Sequence, residues 1–189
     1  MIPTLEQLAE RFSRLVATTA VLPQSPLPVT IGSTPAVAVA PPVAAGADHT
    51  IAPTAPPPPV QTVDYSLKGY HLDASISPRQ VVLAAEILDQ NGFALDTITG
   101  VDWIAQNEME VVYDFFHPLS ILRVVVRTRL RRDQPELPTI SPVFPGANWH
   151  ERETHDFFGI RFLGHPNLTP FLLPEDATYH PLRKDFTQC

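Results

Sequence analysis

The sequence predicts an α+β domain, a two-layer and mainly antiparallel sheet with helices, preceded by a Pro-rich linker and followed by an extended C-terminal arm. Three observations predict it. From Phe93 to Arg131 apolar and polar residues largely alternate with the period of two that strands require, broken by turn segments. Eleven of the 22 prolines crowd between Leu22 and Val60, where neither a helix nor a central strand can form. After Gly159, Pro166, Pro170, Pro174 and Pro181 forbid a long helix and push each preceding residue toward extended geometry.

In chain order, residues 1–21 read as an N-terminal amphipathic helix. Thr4 to Gln7 form a capping box, and Leu5, Leu8, Phe12, Leu15 and Val16 share one face. That face packs either on the chain's own domain or on a partner. Residues 22–60 are a Pro/Ala-rich linker with Asp48 its only acid and no Lys or Arg, serving as a flexible tether or as an extended segment wrapped over a partner.

Residues 61–163 read as the α+β domain. His71 to Ile76 make a strand, and Ser77 and Pro78 open a helix as N-cap and first residue, with Val81, Val82, Ala85 and Leu88 as its buried stripe and Asn91-Gly92 as its end. Phe93 to Val101 make a strand with Leu95, Thr97 and Thr99 on one side. Met109 to Phe116 and Ile121 to Arg131 make an antiparallel hairpin through the short turn at His117 to Ser120. On its second strand Leu122, Val124, Val126 and Leu130 alternate with Arg123, Val125, Arg127, Arg129 and Arg131. The basic face is either solvated and paired with neighbouring acids or turned to RNA or an acidic partner. The net charge of 13 − 20 = −7 argues against RNA. Pro135 to Pro145 read as a loop or edge segment.

Ala147 to Phe158 contain no Pro or Gly and stop at Gly159, a helix with its C-cap. His150 to His155 are polar throughout, so the helix needs paired charges or a neighbouring body to hold it, and Arg152 and Asp156 stand four apart for a pair. Residues 164–189 are the extended arm, expected to lie on something else.

No apolar run is long enough to span a bilayer, and Glu6, Glu10, Arg11 and Arg14 interrupt any secretory h-region at the N-terminus. The single cysteine, Cys189, leaves no intramolecular disulfide and no thiolate-ligated cluster, which needs about four. His150 and His155 are five apart, about 140° around a helix, too far to share one metal. Glu151, Glu153 and Asp156 have no nucleophile or phosphate loop beside them, and ion pairing with a partner or with Arg152, Arg161, Arg183 and Lys184 is the better reading. His165 and His180 read as hydrogen-bonded structural groups. The expectation is therefore no catalytic, cofactor-binding or metal-binding residue on this chain.

Trp149, Glu151, Arg152, Glu153, Asp156, Gly159, Ile160, Phe162, Gly164, His165, Pro166 and Leu168, followed by His180, Pro181, Leu182, Arg183, Lys184, Asp185 and Phe186, resemble the signature of the 30 kDa subunit of proton-pumping NADH:quinone oxidoreductase (complex I). The module is shared with related membrane-bound nickel–iron hydrogenases. This chain departs from the pattern at Thr169, Pro170, Ala177 and Tyr179. The resemblance implies a compact sheet-and-helix domain and a non-catalytic structural subunit of the hydrophilic arm, peripheral on the cytoplasmic side of the inner membrane. It implies a hetero-oligomer in which the chain clamps the large quinone-site or nickel–iron-type subunit beside a neighbouring iron–sulfur subunit. Iron–sulfur clusters, flavin or a nickel–iron centre are then expected on those partners. It makes the signature positions the partner-binding surface. Two alternatives remain: the equivalent subunit of a membrane-bound hydrogenase or formate hydrogenlyase-like complex, and a freestanding hydrolase using the carboxylates and histidines.

Overall fold

The sheet is built around the hairpin of β4 (Glu108–Phe116) and β5 (Arg123–Arg131), which pair antiparallel from Glu108↔Arg131 to Phe116↔Arg123. A computed structural model of the chain describes residues 3–19 and 58–187. The linker expected over 22–60 falls outside the described residues up to residue 57. The further elements are α1 (Leu5–Thr19), β1 (Val60–Thr62), α2 (Tyr65–Lys68), β2 (Leu72–Ile76), α3 (Val81–Gln90), β3 (Ala94–Trp103), β6 (Glu136–Pro138), α4 (Ala147–Phe158) and β7 (Arg161–Leu163). Five strands form one sheet in the order β1-β2-β5-β4-β3, antiparallel except for the β2/β5 pair. The short β6 lies in the segment expected as loop or edge, and pairs parallel with β7.

One sheet face carries Met109, Val111, Tyr113 and Phe115 of β4 with Val124, Val126 and Leu130 of β5, all buried in one core with residues of α1, α3 and α4. The capping box forms as expected: Gln7 N–H donates to Thr4 Oγ1 at 3.3 Å and Thr4 N–H to Gln7 Oε1 at 3.1 Å. Leu8 and Phe12 are fully buried against the domain, each side chain contributing about 1.5–3 kcal/mol of burial. Gln80 Nε2 also donates to Leu15 O at 2.6 Å. Of the two options for α1, packing on its own domain is the one realised. In α3 the buried stripe is Val81, Ala84, Ala85 and Leu88, the i, i+3, i+4, i+7 set. Val82, expected in it, lies about 100° round from Val81 and is half-buried.

β3 departs from simple alternation. Leu95 pairs with Phe115 but Thr97 with Asp114, so Asp96 is an inserted residue. A bulge of this kind reverses the parity of everything after it. Leu95, Ile98 and Gly100 therefore face the core while Thr97 and Thr99 face out, where strict alternation had put Leu95, Thr97 and Thr99 together.

The outer face of β5 is the solvated, paired one. Arg123 bonds to Asp114 at 2.9 Å and to Asp96, Arg127 to Asp73 at 3.1 Å, and Arg129 to Glu108 at 3.1 Å and Glu110 at 3.2 Å, while Arg131 bonds to Asp133. Arg129 also lies over the Trp103 ring, 4.4 Å from its centroid.

Candidate partner-binding surface

α4 occupies the residues its composition predicts and ends at Gly159, in the left-handed region at φ 72°. A Cβ there would stand 2.5 Å from His180 Nε2 and 2.6 Å from Arg183 Nη2, so glycine is required by both backbone and space.

The polar middle of α4 is held from within the chain by hydrogen bonds to backbone and hydroxyl groups, where paired charges or a neighbouring body were expected. Glu151, fully buried, accepts from Ile140 N–H at 2.8 Å and from the Thr139 hydroxyl at 2.5 Å. Thr154 Oγ1 donates to Ile98 O at 3.4 Å. Asp156 Oδ2 accepts from the N–H groups of Phe171, Leu172 and Leu173 at 2.8, 2.7 and 3.3 Å. The expected Arg152–Asp156 pair does not form, because the arm offers each a local partner. Asp156 takes three backbone donors, and Arg152 donates to Thr169 O and Pro170 O, both at 3.0 Å.

The arm does not extend away. It folds back on α4 and supplies partners for three of the four final carbonyls that the last turn of any helix leaves open, the C-cap Gly159 taking the other. His155 O receives Gly159 N–H at 2.8 Å, Asp156 O the His180 Nδ1–H at 2.9 Å, Phe157 O the Leu182 N–H at 3.1 Å, and Phe158 O the Arg183 Nε–H at 2.7 Å. Its far end is tied to the sheet. Asp102 accepts from Arg132 at 2.7 and 2.9 Å and from Lys184 N–H at 2.7 Å, and Arg132 also holds Asp185 at 2.7 Å. The hydrogen bonds from Arg132 lower the Asp102 carboxyl below its usual range. Asp102 and Arg132 were not singled out in the sequence. The bulge in β3 hides that Asp102 shares the core face with Ile98 and Gly100.

His165 lies beside Glu151, its Nε2 3.8 Å from Oε2. Its Nδ1 accepts from Asn167 N–H at 3.1 Å, so Nε2 carries the proton and donates to Asn148 O at 3.2 Å. Burial lowers His165 and His180. Burial also pushes Glu151 up to about 7, against the hydrogen bonds from Thr139 and Ile140 that favour its charged form. The buried Tyr113 hydroxyl nearby has no partner, and burial followed by the Glu151 charge raises it well above its usual value.

Of the expected surface residues, Glu151, Asp156, Gly159, His165, His180, Arg183 and Asp185 are thus engaged within this chain. Lys184 is engaged through its backbone N–H. Trp149, Arg152, Glu153, Gly164, Pro166 and Pro181 remain at least partly accessible. They include one organised cluster: Trp149, 55% exposed, packs against Phe171 at 5.1 Å between ring centroids, and the Arg152 guanidinium sits 5.2 Å from the first ring and 5.0 Å from the second. Exposed Leu172 adjoins it. Phe171 and Leu172 were not anticipated, since a proline-broken arm carries no periodicity to mark them. Among the described residues no three His, Cys, Asp or Glu side chains converge to hold a metal, and no helix is long and apolar enough to cross a membrane.

The chain belongs to the family of the respiratory-chain NADH dehydrogenase 30 kDa subunit, whose profile matches residues 74–188. It is 36% identical over 122 residues to the C subunit of the NADH-quinone oxidoreductase of Moorella thermoacetica, covering 63% of this chain and 82% of that one. It is 40% identical over 95 residues to the C/D subunit of the Phocaeicola vulgatus NADH-quinone oxidoreductase, covering 50% of this chain and 18% of that one. A chain in the solved structure of the membrane-bound sulfane sulfur reductase, an archaeal respiratory membrane complex, superposes with a TM-score of 0.61 at 27% identity, covering 69% of this chain and 78% of that one. The chain is accordingly a complex I-like oxidoreductase subunit.

Proposed function

We propose that this chain is a cofactor-free structural subunit in the hydrophilic arm of an NADH:quinone oxidoreductase, peripheral on the cytoplasmic side of the inner membrane, and that it clamps the large quinone-site subunit through the outer surface of α4 and the arm. Iron–sulfur clusters and flavin then belong to partner subunits. The observation that carries the reading is the Trp149–Arg152–Phe171 cluster. Aromatic and arginine side chains dominate interface hot spots, and these three are pre-ordered by the hydrogen bonds of Arg152 to Thr169 and Pro170. The Phocaeicola vulgatus relative supports close association with a further subunit, since its name joins C to D in one chain. A second reading, the same role in a machine with another electron acceptor, is favoured by the likeness to the sulfane sulfur reductase chain.

The test is co-purification of the native complex in mild detergent with Arg152→Glu or Trp149→Ala in the full chain. Loss of association far larger than any fall in melting temperature is expected, by at least roughly thirtyfold for truncation of a hot spot worth about 2 kcal/mol or more. Normal assembly of both variants refutes the clamp.

A further inference from the structure

Beneath α4 the side chains round Glu151 have more hydrogen-bonding choices than one static arrangement uses. The Glu151 and His165 side chains are both fully buried. Thr139 Oγ1 is hydrogen-bonded to Glu151 Oε2 and, at 2.9 Å, to Ser141 Oγ, and it accepts from Ser141 N–H at 3.1 Å. A hydroxyl has one hydrogen to donate, so the same heavy-atom positions admit two arrangements. In one, protonated Glu151 donates to Thr139 and Thr139 to Ser141. In the other, Ser141 donates to Thr139 and Thr139 to ionised Glu151. Ser141 also lines a surface cleft with Pro142, Pro145, Asn148, Gly164 and Pro166, so the two hydroxyls join the buried carboxyl to solvent.

His165, at the root of the arm, has a choice of its own. Its Nε2–H donates to Asn148 O at 3.2 Å, while Glu151 Oε2 stands 3.8 Å away. Beside a neutral carboxyl the carbonyl keeps that hydrogen. A carboxylate competes for it with a charge-assisted bond roughly twice as strong, reached by a ring displacement of roughly 1 Å. Asn148 adjoins Trp149 and the arm carries Phe171, so the movement reaches the Trp149–Arg152–Phe171 cluster.

We infer that Glu151 is a proton-operated latch on the root of the arm: it exchanges its proton with solvent through Thr139 and Ser141, and its ionisation draws His165 Nε2–H from Asn148 O to Oε2. The groups around it leave that control to Glu151. Tyr113, facing it from β4, is raised well above its usual value by burial and then by the Glu151 charge, and stays protonated. β3 meets α4 at Ile98 and Gly100, neither titratable, and Arg161 of β7 turns out to Glu136. His180 and Arg183 of the arm lie at the far end of α4, on the carbonyls of Asp156 and Phe158. Burial first, and then Arg152 and His155 of α4, lower His165 against its bond to Asn148 O. The ring is therefore neutral where Glu151, pushed by burial up to about 7, changes state.

The test uses the purified full chain, isotope-labelled at glutamate and histidine, followed by NMR from pH 5 to 8. It involves no partner, so its failure leaves the clamp standing. The Glu151 carboxyl should titrate with a midpoint near 7. The His165 ring nitrogens, and the emission of Trp149 read with Trp103→Phe, should change at the same midpoint and lose that change in Glu151→Gln. Ser141→Ala distinguishes the relay from a merely buried acid. Without Ser141 Oγ the protonated arrangement leaves the Thr139 hydrogen unpaired, while ionised Glu151 keeps its bonds, so the midpoint should fall by roughly 1 in pH. A midpoint that Ser141→Ala leaves in place overturns the proposal. So do His165 and Trp149 signals that ignore the Glu151 titration, or that persist at its midpoint in Glu151→Gln. Where Glu151→Gln does not fold, Ser141→Ala decides alone: all three signals must shift together, and any that stays behind refutes the latch.

Discussion

The inner face of α4 and the outer face of β5 are both rich in charge and treat it in opposite ways. On β5 each arginine finds a carboxylate across or along the sheet while remaining in contact with water. Beneath α4, Glu151 and Asp156 are buried with no arginine or lysine among their hydrogen-bond partners, and backbone N–H groups and a hydroxyl satisfy them instead. The difference is one of surroundings. In water a charge pair gains little beyond what hydration already provides, so the exposed pairs of the ladder, Arg129–Glu108 and Arg131–Asp133, are close to neutral for stability. Out of water an unsatisfied carboxylate is expensive, so each buried one is committed to a single arrangement of its neighbours. Charge on β5 solubilises the sheet; charge under α4 specifies where the arm must lie.

The contrast is broken most strongly at Asp102, whose side chain is wholly buried and pairs with Arg132, itself 14% exposed. Asp102→Ala should cost about 3 kcal/mol by leaving Arg132 with only the exposed Asp185 and the Lys184 N–H without its acceptor. It should also free the arm, read as faster proteolytic cleavage after residue 164 alongside a lower denaturant midpoint. Next in size is the effect of pH on Glu151. Its carboxyl stands at 4.5 when exposed and at about 7 when folded, so between these values the folded chain holds a proton that the unfolded chain has released. Stability therefore falls as pH rises from about 4.5 through about 7, by about 3 kcal/mol in full at 1.36 kcal/mol per unit. His165 and His180, both lowered by burial, oppose part of this, since their contributions rise with pH up to their ordinary value of 6.5. Urea titrations between pH 5 and 8 should show the net decline, and Glu151→Gln should abolish it. A profile unchanged in that variant would assign the decline elsewhere.

Gly159→Ala should cost about 2 kcal/mol or more, combining left-handed backbone strain with displacement of His180 and Arg183, and calorimetry of the full chain measures it. The smallest effect belongs to β5: Arg131→Ala, at a pair with Asp133 whose side chains are 78% and 52% exposed, should leave the denaturant midpoint essentially unchanged, the more so in high salt. A shift for Arg131→Ala approaching that for Asp102→Ala would erase the distinction between the two faces.

Local chemistry determined a great deal by itself. The capping box at Thr4, the helix from Ala147 to its stop at Gly159 and the hairpin turned at His117 all follow from residues close in the chain, because caps, periodicity and turn geometry act over a few positions. The basic face of β5 was legible for the same reason, Arg123, Arg127, Arg129 and Arg131 sharing one parity along the strand. Tertiary structure alone decided that α1 packs on its own core, that a bulge at Asp96 reverses the faces of β3, and that the arm returns to α4. None of these has a local sequence signal, since each depends on groups brought together from distant positions. Asp156 meets Phe171, Leu172 and Leu173 across a bend, and Asp102 meets Lys184 across 82 positions. The polar run of α4 suggested an exposed, partner-seeking helix because a sequence shows polarity without showing burial. Only packing reveals that Glu151, Thr154 and Asp156 turn inward to hydrogen-bond partners of their own, and leave Trp149 and Arg152 to face outward.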